Sequence, residues 1–402
     1  MHILARKCAL LHEVSLSASI VSLDSGSIQN RSLSRENLIV RMMRTRCVRH
    51  CCALGVVSLL SVLEPTFTQD TYVVVDVATL DQVQGGRVRG VNDAGEIVGT
   101  ARTQAGRRGF RLGAFESANS PTKNERLDGF AGSDASAANA INEKGSVAGA
   151  ANTDTGIRAY LWTRKDGFID LGALPGDSGS EAWGLNRNDE VVGYSSGPNG
   201  VEAVLWESNR SIQRLGQLSP GDYCRAYAIN DNGDVVGTSG QTDSLRAFLW
   251  TRNSQMEDLG ALDGHNQSFA TGINNAGRVV GYSSGALGDH AFLWSKSTGM
   301  VGLGTLTGGV YSRARAINVP GDIVGVSDSP VGNRAVLWTR HGEMWDLNQL
   351  IPAGSNFVLT EAVSINNQGQ ILAIGQTGKA LSKQEHDHSR EEEPTRVFLL
   401  TR

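Results

Sequence analysis

Short apolar runs separated by polar turns recur along residues 72–402. The clearest copy runs from Ile229 to Gly237 and reads Ile-Asn-Asp-Asn-Gly-Asp-Val-Val-Gly. It predicts the end of one strand, a tight turn and the start of a second strand. The turn asparagine recurs in seven places, at Asn92, Asn142, Asn186, Asn230, Asn274, Asn318 and Asn366. The separations of 50, 44, 44, 44, 44 and 48 residues between them indicate a structural repeat.

Each repeat contains four strand-length pieces divided by Gly, Asp, Asn and Ser. In the fourth repeat these pieces are Arg225 to Asn230, Asp234 to Ser239, Arg246 to Trp250 and Met256 to Leu259. No stretch of ten or more residues has a helical period. Four strands in about 44 residues are typical of one blade of a β-propeller.

The two ends of the repeat region complement one another. Asp76 to Leu80 aligns with a fourth strand, because Leu80 precedes its asparagine by 12 residues, as Leu262 does. Val397 to Arg402 aligns with a third strand, so the last repeat lacks a fourth strand of its own. We therefore predict an all-β, seven-bladed β-propeller of four-stranded blades, in which the N-terminal strand joins the C-terminal blade and closes the ring. The predicted blades are about 87–130, 137–174, 181–218, 225–262, 269–306, 313–350 and 360–402 plus 72–77.

Small residues occupy the positions two and four before each turn asparagine, which predicts that this strand lies innermost, where the blades converge. The positions three and five before the asparagine differ between blades, and we expect them to line the mouth of the central channel. The candidate ligand-binding residues at these positions are Arg87, Arg89, Trp183, Arg225, Tyr227, Arg313 and Arg315. Such cationic and aromatic side chains suit a carboxylate, a sugar or a peptide. Packing between blades, with ion pairs to Glu181 and Glu361, is the alternative.

The seven asparagines themselves are expected to support the scaffold, since each side chain can bond to the backbone of its own turn. The turn after Asn230 resembles a calcium loop, but the third loop position varies through Ala94, Lys144 and Pro320. We therefore predict no metal ion and no cofactor. No catalytic residue is predicted either, because the chain has no G-x-S-x-G, P-loop, zinc-protease or Cys-His arrangement, and the spacing of its many Asp and Glu residues selects no carboxylate pair.

The N-terminal region has a different pattern. Arg44, Arg46 and Arg49 precede a 13-residue run of apolar and small residues from Cys51 to Leu63. A basic lead and an apolar run shorter than the ~20 residues that span a membrane are typical of a secretory signal peptide. We predict that residues 42–68 are this signal, that residues 1–41 are a non-native upstream extension from a misplaced start, and that 69–402 form the propeller. An uncleaved anchor or a buried helix is the alternative.

Composition adds few constraints on function. The net charge of −4 gives no indication of a nucleic-acid partner. Only Cys224, of five cysteines, lies within the repeats, so no disulfide framework is expected there. We predict a secreted, periplasmic or cell-surface monomer with no stable membrane anchor after the signal is removed.

One repeat carries a more specific signature. The segment His290-Ala291-Phe292-Leu293-Trp294, with Gly302 to Leu306 and Ile273 to Gly277, resembles the HAF-repeat family of bacterial extracellular repeat proteins. The resemblance covers Tyr72 to Arg402, although only this copy has the full His-Ala-Phe. It implies export and a propeller-like fold, and it supplies no catalytic residues.

The leading functional hypothesis is an exported, non-enzymatic binding or scaffold protein that presents the loops of one propeller face to a protein, peptide or glycan. Two alternatives remain open. One is a carbohydrate- or ester-acting enzyme with its site at the channel mouth, and the other is a purely structural cell-surface protein.

Overall fold

The computed structural model describes residues 71–77, 86–117, 120–121, 123–377 and 396–402. These residues form thirty β-strands and one 3-10 helix, Leu347–Gln349. Twenty-eight of these strands make seven antiparallel sheets of four strands each. The seven-bladed, all-β prediction is therefore confirmed. The predicted upstream extension and signal peptide lie outside the described residues, and no described segment forms a helix long and apolar enough to cross a membrane.

The sheets follow one another along the chain, and we number them as blades 1 to 7. Their strands, from innermost to outermost, are as follows: blade 1, β2 (Arg87–Val91), β3 (Ile97–Thr103), β4 (Gly106–Leu112) and β7 (Asn124–Leu127); blade 2, β8 (Ser136–Ile141), β9 (Val147–Thr153), β10 (Gly156–Thr163) and β11 (Gly167–Asp170); blade 3, β12 (Gly179–Leu185), β13 (Val191–Gly197), β14 (Gly200–Trp206) and β15 (Ile212–Arg214); blade 4, β16 (Tyr223–Ile229), β17 (Val235–Gly240), β18 (Arg246–Thr251) and β19 (Ser254–Asp258); blade 5, β20 (His265–Ile273), β21 (Val279–Gly285), β22 (Gly288–Ser295) and β23 (Gly299–Gly302); blade 6, β24 (Ser312–Ile317), β25 (Ile323–Ser327), β26 (Arg334–Trp338) and β27 (Met344–Asp346); and blade 7, β28 (Phe357–Ile365), β29 (Ile371–Thr377), β30 (Arg396–Thr401) and β1 (Val73–Asp76). A hairpin of β5 (Phe115–Ser117) and β6 (Ser120–Pro121) separates β4 from β7.

The ring closes as the ends of the repeat region predict. Strand β1 pairs antiparallel with β30, from Val73 opposite Thr401 to Asp76 opposite Phe398. Blade 7 therefore takes three strands from the C-terminal part of the chain and its outermost strand from the N-terminal part. This pairing satisfies a strand edge that would otherwise be exposed.

The hydrophobic core lies between the blades, because the third strand of each blade sends alternate side chains to its two neighbours. In β18, Phe248 and Trp250 pack against blade 3, whereas Ala247 and Leu249 pack against blade 5. Each large side chain buried in this way stabilises the fold by about 1.5–3 kcal/mol. Each blade therefore relies on its neighbours in the ring to bury its apolar side chains.

Every innermost strand contains a β-bulge at the residue three before the turn asparagine. The bulged residues are Arg89, Asn139, Trp183, Tyr227, Thr271, Arg315 and Val363. The second strand approaches the bulged strand closely. At Gly237, for example, an added Cβ would collide with the carbonyl oxygen of Arg225. The alternation of side chains expected from sequence is therefore interrupted at the positions that differ most between blades.

The turn asparagines are buried and form a continuous hydrogen-bonded ring. Asn230 Oδ1 accepts the N–H groups of Asn232 and Asp234 in its own turn, which confirms the expected scaffold role. Each asparagine Nδ2 also donates to the backbone oxygen of the equivalent asparagine in the next blade. The seven distances, from Asn92 onward, are 3.0, 2.9, 3.1, 3.1, 3.1, 3.1 and 2.8 Å. The last bond, from Asn366 to Asn92, closes the ring independently of strand pairing.

Candidate functional site

The central channel has two chemically different ends. The turns that follow the innermost strands form what we call the asparagine end. The beginnings of the innermost strands form the opposite, entry end, together with the turns that join the second and third strands. Every blade contributes the same segments of the repeat to each end. The chemistry of an end is therefore set by the residues in those segments that differ between blades.

A cavity of about 220 Å³ lies at the asparagine end. Its rim includes the residues that follow six of the seven asparagines, which are Glu143, Arg187, Asp231, Asn275, Val319 and Asn367. The carboxylates of this rim serve the scaffold. Glu143 Oε2 accepts the N–H of Asp93 at 2.8 Å, and Asp231 Oδ1 accepts the N–H of Arg187 at 2.9 Å. Burial raises the pKa of Glu143, although the hydrogen bond from Asp93 opposes the shift.

The entry end contains two equivalent clusters in which an arginine lies against two tyrosines. In the first cluster, the Arg225 guanidinium carbon lies 4.2 Å from the ring centre of Tyr194 and 4.8 Å from that of Tyr223. In the second, Arg313 lies 4.6 Å from Tyr282 and 5.8 Å from Tyr311. Each residue of the second cluster follows its counterpart by 88 positions, or two blades. Cation–π contact with two rings holds each guanidinium at the border between adjacent blades.

The second cluster contains its own carboxylate. Arg313 Nε donates to Asp289 Oδ2 at 2.6 Å, and the hydroxyl of Ser284 donates to Asp289 Oδ1. Burial favours a lower pKa for Arg313. The hydrogen bond from Arg313 to Asp289 and the negative charge of Asp289 outweigh burial, so the pKa of Arg313 is raised. Arg313 is therefore paired with a carboxylate of the protein itself.

The first cluster lacks that carboxylate. Its serine is retained as Ser196, but Val201 occupies the position of Asp289. Arg225 makes no ion pair with any carboxylate that the structure describes, and its buried Nε has no hydrogen-bond partner there. The nearby Glu181 instead accepts from the hydroxyl of Tyr194 at 2.7 Å. Arg225 thus lies in an equivalent copy of the Arg313 cluster that lacks the carboxylate.

A third group of aromatic and cationic side chains extends across the channel from blade 1 to blade 4. The Arg89 guanidinium carbon lies 5.2 Å from the ring centre of Trp183, and Trp183 meets Tyr227 edge-to-face at 6.0 Å. These three side chains project from the bulges of blades 1, 3 and 4. Burial, with help from Arg87, lowers the pKa of Arg89. The buried Nε1 of Trp183 is a second donor without a partner among the described residues.

The tyrosines at this end remain neutral hydrogen-bond donors at neutral pH. Burial raises the pKa of Tyr227 to about 12, with Tyr223 adding to the shift and Arg225 opposing it. Burial also raises the pKa values of the four tyrosines in the arginine clusters, which are Tyr194, Tyr223, Tyr282 and Tyr311. The entry end therefore combines neutral tyrosine hydroxyls with cationic guanidinium groups, a combination that suits a ligand rich in acceptor oxygens.

The structure separates the seven candidate ligand-binding residues into two sets and one further residue, Arg87. Arg89, Trp183, Arg225 and Tyr227 lie in the arrangement just described, without carboxylate partners of their own among the described residues. Arg313 and Arg315 follow the alternative of ion pairing, Arg313 with Asp289 and Arg315 with Glu361. Arg87 is exposed and makes no ion pair with a described carboxylate.

Sequence reasoning missed the tyrosines that enclose the arginines. Tyr223 and Tyr311 begin a shared Tyr-x-Arg-Ala pattern in blades 4 and 6. Tyr194 and Tyr282 both lie eight residues after a turn asparagine, in blades 3 and 5. Aligning the blades in pairs, rather than singly, would have revealed both signals. Within the described ranges, no cluster of three His, Cys, Asp or Glu residues could hold a metal ion.

Comparison with solved structures supports the architecture. The β-propeller domain of the Trilobed protease from Pyrococcus furiosus matches with a TM-score of 0.51 at 8% identity, over 78% of this chain and 93% of that one. A catalytically inactive virginiamycin B lyase from Staphylococcus aureus, solved with quinupristin, matches with a TM-score of 0.49 at 13% identity, over 82% and 99%. TolB from Acinetobacter baumannii gives 0.40 at 11%, over 82% and 80%. Only the first of these matches supports the architecture, and it concerns the fold alone.

A search of curated proteins finds no match for this chain. A family model described as "Protein of unknown function (DUF3466)" matches residues 177–391, which extend from the start of blade 3 into the last blade. Because this match covers more than half of the 402 residues, the chain belongs to the DUF3466 family.

Proposed function

We propose that this protein is an exported, non-enzymatic binding protein that holds a carboxylate-bearing ligand at the entry end of its channel, with Arg225 as the anchor. The observation that carries the proposal is the pair of equivalent clusters. Asp289 occupies the one around Arg313, and Val201 leaves the one around Arg225 without a carboxylate. The ligand's carboxylate would give Arg225 the partner that Asp289 gives Arg313 in the other copy.

The energetics of burial favour such an occupant. A guanidinium with a buried, unpaired N–H group loses water contacts without replacement, which costs free energy. A ligand carboxylate would restore a charge-assisted hydrogen bond in a site already shaped by two aromatic rings. Preformed side chains of this kind need little reordering when the ligand arrives.

The carboxylates at this end support binding over hydrolysis. Glu181 bonds to Tyr194, Asp289 to Arg313 and Ser284, and Glu361 to Arg315. A general acid or base needs a carboxyl group within reach of the substrate. These three carboxyl groups, which lie beside the arginines, are instead engaged with protein partners and are not free to act as the acid–base pair that the carbohydrate- or ester-acting alternative requires.

The test is a binding array of acidic and neutral glycans and peptides, applied to the purified protein. We expect acidic probes to be retained, and Arg225→Ala to weaken their binding by about 10- to 100-fold, because a hydrogen bond to a charged group contributes ~1.5–3 kcal/mol. Val201→Asp supplies the missing carboxylate internally and should abolish binding while preserving the fold. Arg214→Ala, which removes an exposed arginine paired with Glu202, is the matched control.

Unchanged binding in Arg225→Ala would contradict the proposal. Hydrolysis assays on the same probes test the enzyme alternative, which would gain support from turnover that a single carboxylate substitution abolishes. If Arg225→Ala and Tyr227→Ala change the stability of the protein but not its binding, the result supports the purely structural alternative.

Export is the second part of the proposal, and it is supported by the sequence of residues 42–68 and by the resemblance to HAF-repeat proteins. We expect N-terminal sequencing of protein recovered from outside the cytoplasm to begin near residue 69, because the basic lead and short apolar run suit signal cleavage. A mature protein that retains Cys51 would contradict cleavage.

A further inference from the structure

Three aliphatic side chains are strongly exposed at the entry end, on the rim of blades 5 and 6. Leu287 is 82% exposed, Val310 66% and Val331 71%. Leu287 lies in the turn between β21 and β22, Val331 in the turn between β25 and β26, and Val310 in the connection between the two blades. Single exposed aliphatic residues are common, but a contiguous group marks an interaction surface.

The three residues belong to adjoining segments of one surface. An added Cβ at Gly288, next to Leu287, would lie 3.6 Å from the backbone oxygen of Val310. An added Cβ at Gly308 would lie 2.8 Å from Pro330, the neighbour of Val331. The connection that carries Val310 is therefore flanked by the turns that carry the other two residues. We call Leu287, Val310 and Val331 the aliphatic rim.

The aliphatic rim is held in place and adjoins the second arginine cluster. Asp328 Oδ1 accepts the N–H groups of both Val310 and Tyr311 at 2.8 Å, so this connection is fixed to the residue that follows the second strand of blade 6. Tyr311 then contacts Arg313, whose charge Asp289 neutralises. The entry end thus changes from an unpaired cation at blade 4 to a neutralised cluster and then to an aliphatic surface.

We infer that the ligand is a polypeptide, with a carboxylate bound at Arg225 and aliphatic side chains that cover the aliphatic rim. This inference rests on the proposed function and specifies its ligand. Aliphatic side chains gain free energy when they cover one another and exclude water, whereas an acidic glycan presents mainly hydroxyl groups to such a surface. The charge at blade 4 and the apolar rim at blades 5 and 6 are together complementary to an acidic segment followed by aliphatic residues.

The experiment compares three probes: acidic peptides with Leu or Val beside the acidic residue, the same peptides with Ser in those places, and oligogalacturonate. The tested variant is Leu287→Ser with Val331→Ser. The control is Val301→Ser, which changes a valine that is 51% exposed on the outermost strand of blade 5. All three substituted residues are exposed, so the fold should tolerate each change.

We expect the double variant to bind the aliphatic acidic peptides at least about tenfold more weakly, which corresponds to ~1.4 kcal/mol. Its weaker affinity for the Ser-substituted peptides should not change, and Val301→Ser should behave as the unaltered protein. Arg225→Ala should weaken binding of both peptide sets, which separates the two proposals.

Equal affinity of the double variant and the control for aliphatic peptides would overturn the inference. If the protein binds oligogalacturonate but neither peptide set, the inference is also overturned, whereas the role of Arg225 as a carboxylate anchor still stands. Sedimentation of the unaltered protein completes the test. A dimer that dissociates in the double variant would assign the aliphatic rim to self-association instead of peptide binding.

Discussion

Removal of residues 72–80 is expected to lower the free energy of unfolding on the order of 5 kcal/mol or more, measured by urea or thermal unfolding. These residues include β1, the outermost strand of blade 7. Tyr72, Val75 and Val77 are buried against the core on either side of the closing blade. The estimate follows from three buried side chains at ~1.5–3 kcal/mol each. It omits the hydrogen bonds of the β1–β30 pairing, which the deletion also removes.

Two substitutions within β1 show whether the loss of stability comes from the lost ring closure or from general damage to this end of the propeller. Val75→Ser places a hydroxyl among buried apolar side chains and should destabilise the protein by about 2 kcal/mol. Val73→Ser changes an exposed valine on the same strand and should leave stability within ~0.5 kcal/mol of the original. If the deletion leaves the unfolding transition unchanged, the ring does not depend on β1 for its stability.

Asn230→Ala is expected to destabilise the protein by about 3 kcal/mol in equilibrium chemical unfolding. The substitution leaves the N–H groups of Asn232 and Asp234 without their acceptor and removes the donor to the backbone oxygen of Asn274. Asn230 is only 3% exposed, so water cannot readily replace these bonds. Each buried polar group left unsatisfied costs ~1–3 kcal/mol.

Asn230→Asp distinguishes the two roles of the asparagine. Aspartate keeps the acceptor of the turn but places an oxygen against the carbonyl of Asn274, where the amide had donated. If the inter-blade ring is important, we expect Asn230→Asp to lose about as much stability as Asn230→Ala. If only the hydrogen bonds within the turn are important, its stability should be near that of the original protein. Asn232→Ala is the control in the same turn, because the side-chain bond of Asn232 to Asn275 is exposed. A loss in Asn232→Ala as large as that in Asn230→Ala would contradict a special role for the ring.

The candidate site shows where sequence reasoning was sufficient and where it ended. Position relative to the turn asparagine selected Arg225, Trp183 and Tyr227, because residues that vary within a fixed repeat stand out from those that repeat. It did not identify the partners of Arg225. Tyr194 lies on the second strand of the preceding blade, and its approach to Arg225 depends on how neighbouring sheets twist and pack.

The difference between Arg225 and Arg313 was equally inaccessible from the pattern. Both arginines occupy the same position in the repeat and belong to the same cationic set. Asp289 pairs with Arg313 from the third strand of a neighbouring blade, 24 residues away in sequence. Ion pairing requires the two groups to lie within hydrogen-bonding range, and strand spacing in the sequence does not reveal that distance.

The bulges are a second feature that periodicity concealed. Strict alternation places the residues three and five before each asparagine on one face of the innermost strand. The bulges at Arg89 of blade 1 and Trp183 of blade 3 interrupt the ladders of their strands, and these two bulged residues contact one another across the channel. An extra unpaired residue does not change the local composition of a strand, so the amino-acid pattern gives no sign of it.

The amino-acid sequence alone was sufficient to establish the number of blades, the order of their strands and the closure by the N-terminal strand. Those features depend on regular spacing and on turn residues, which are local and countable. The ring of asparagine amides, the enclosure of Arg225 by two tyrosines and the exposed rim beside Tyr311 emerged only from the folded chain. Each of these depends on atoms from different blades that come within a few ångströms of one another, and packing determines those distances.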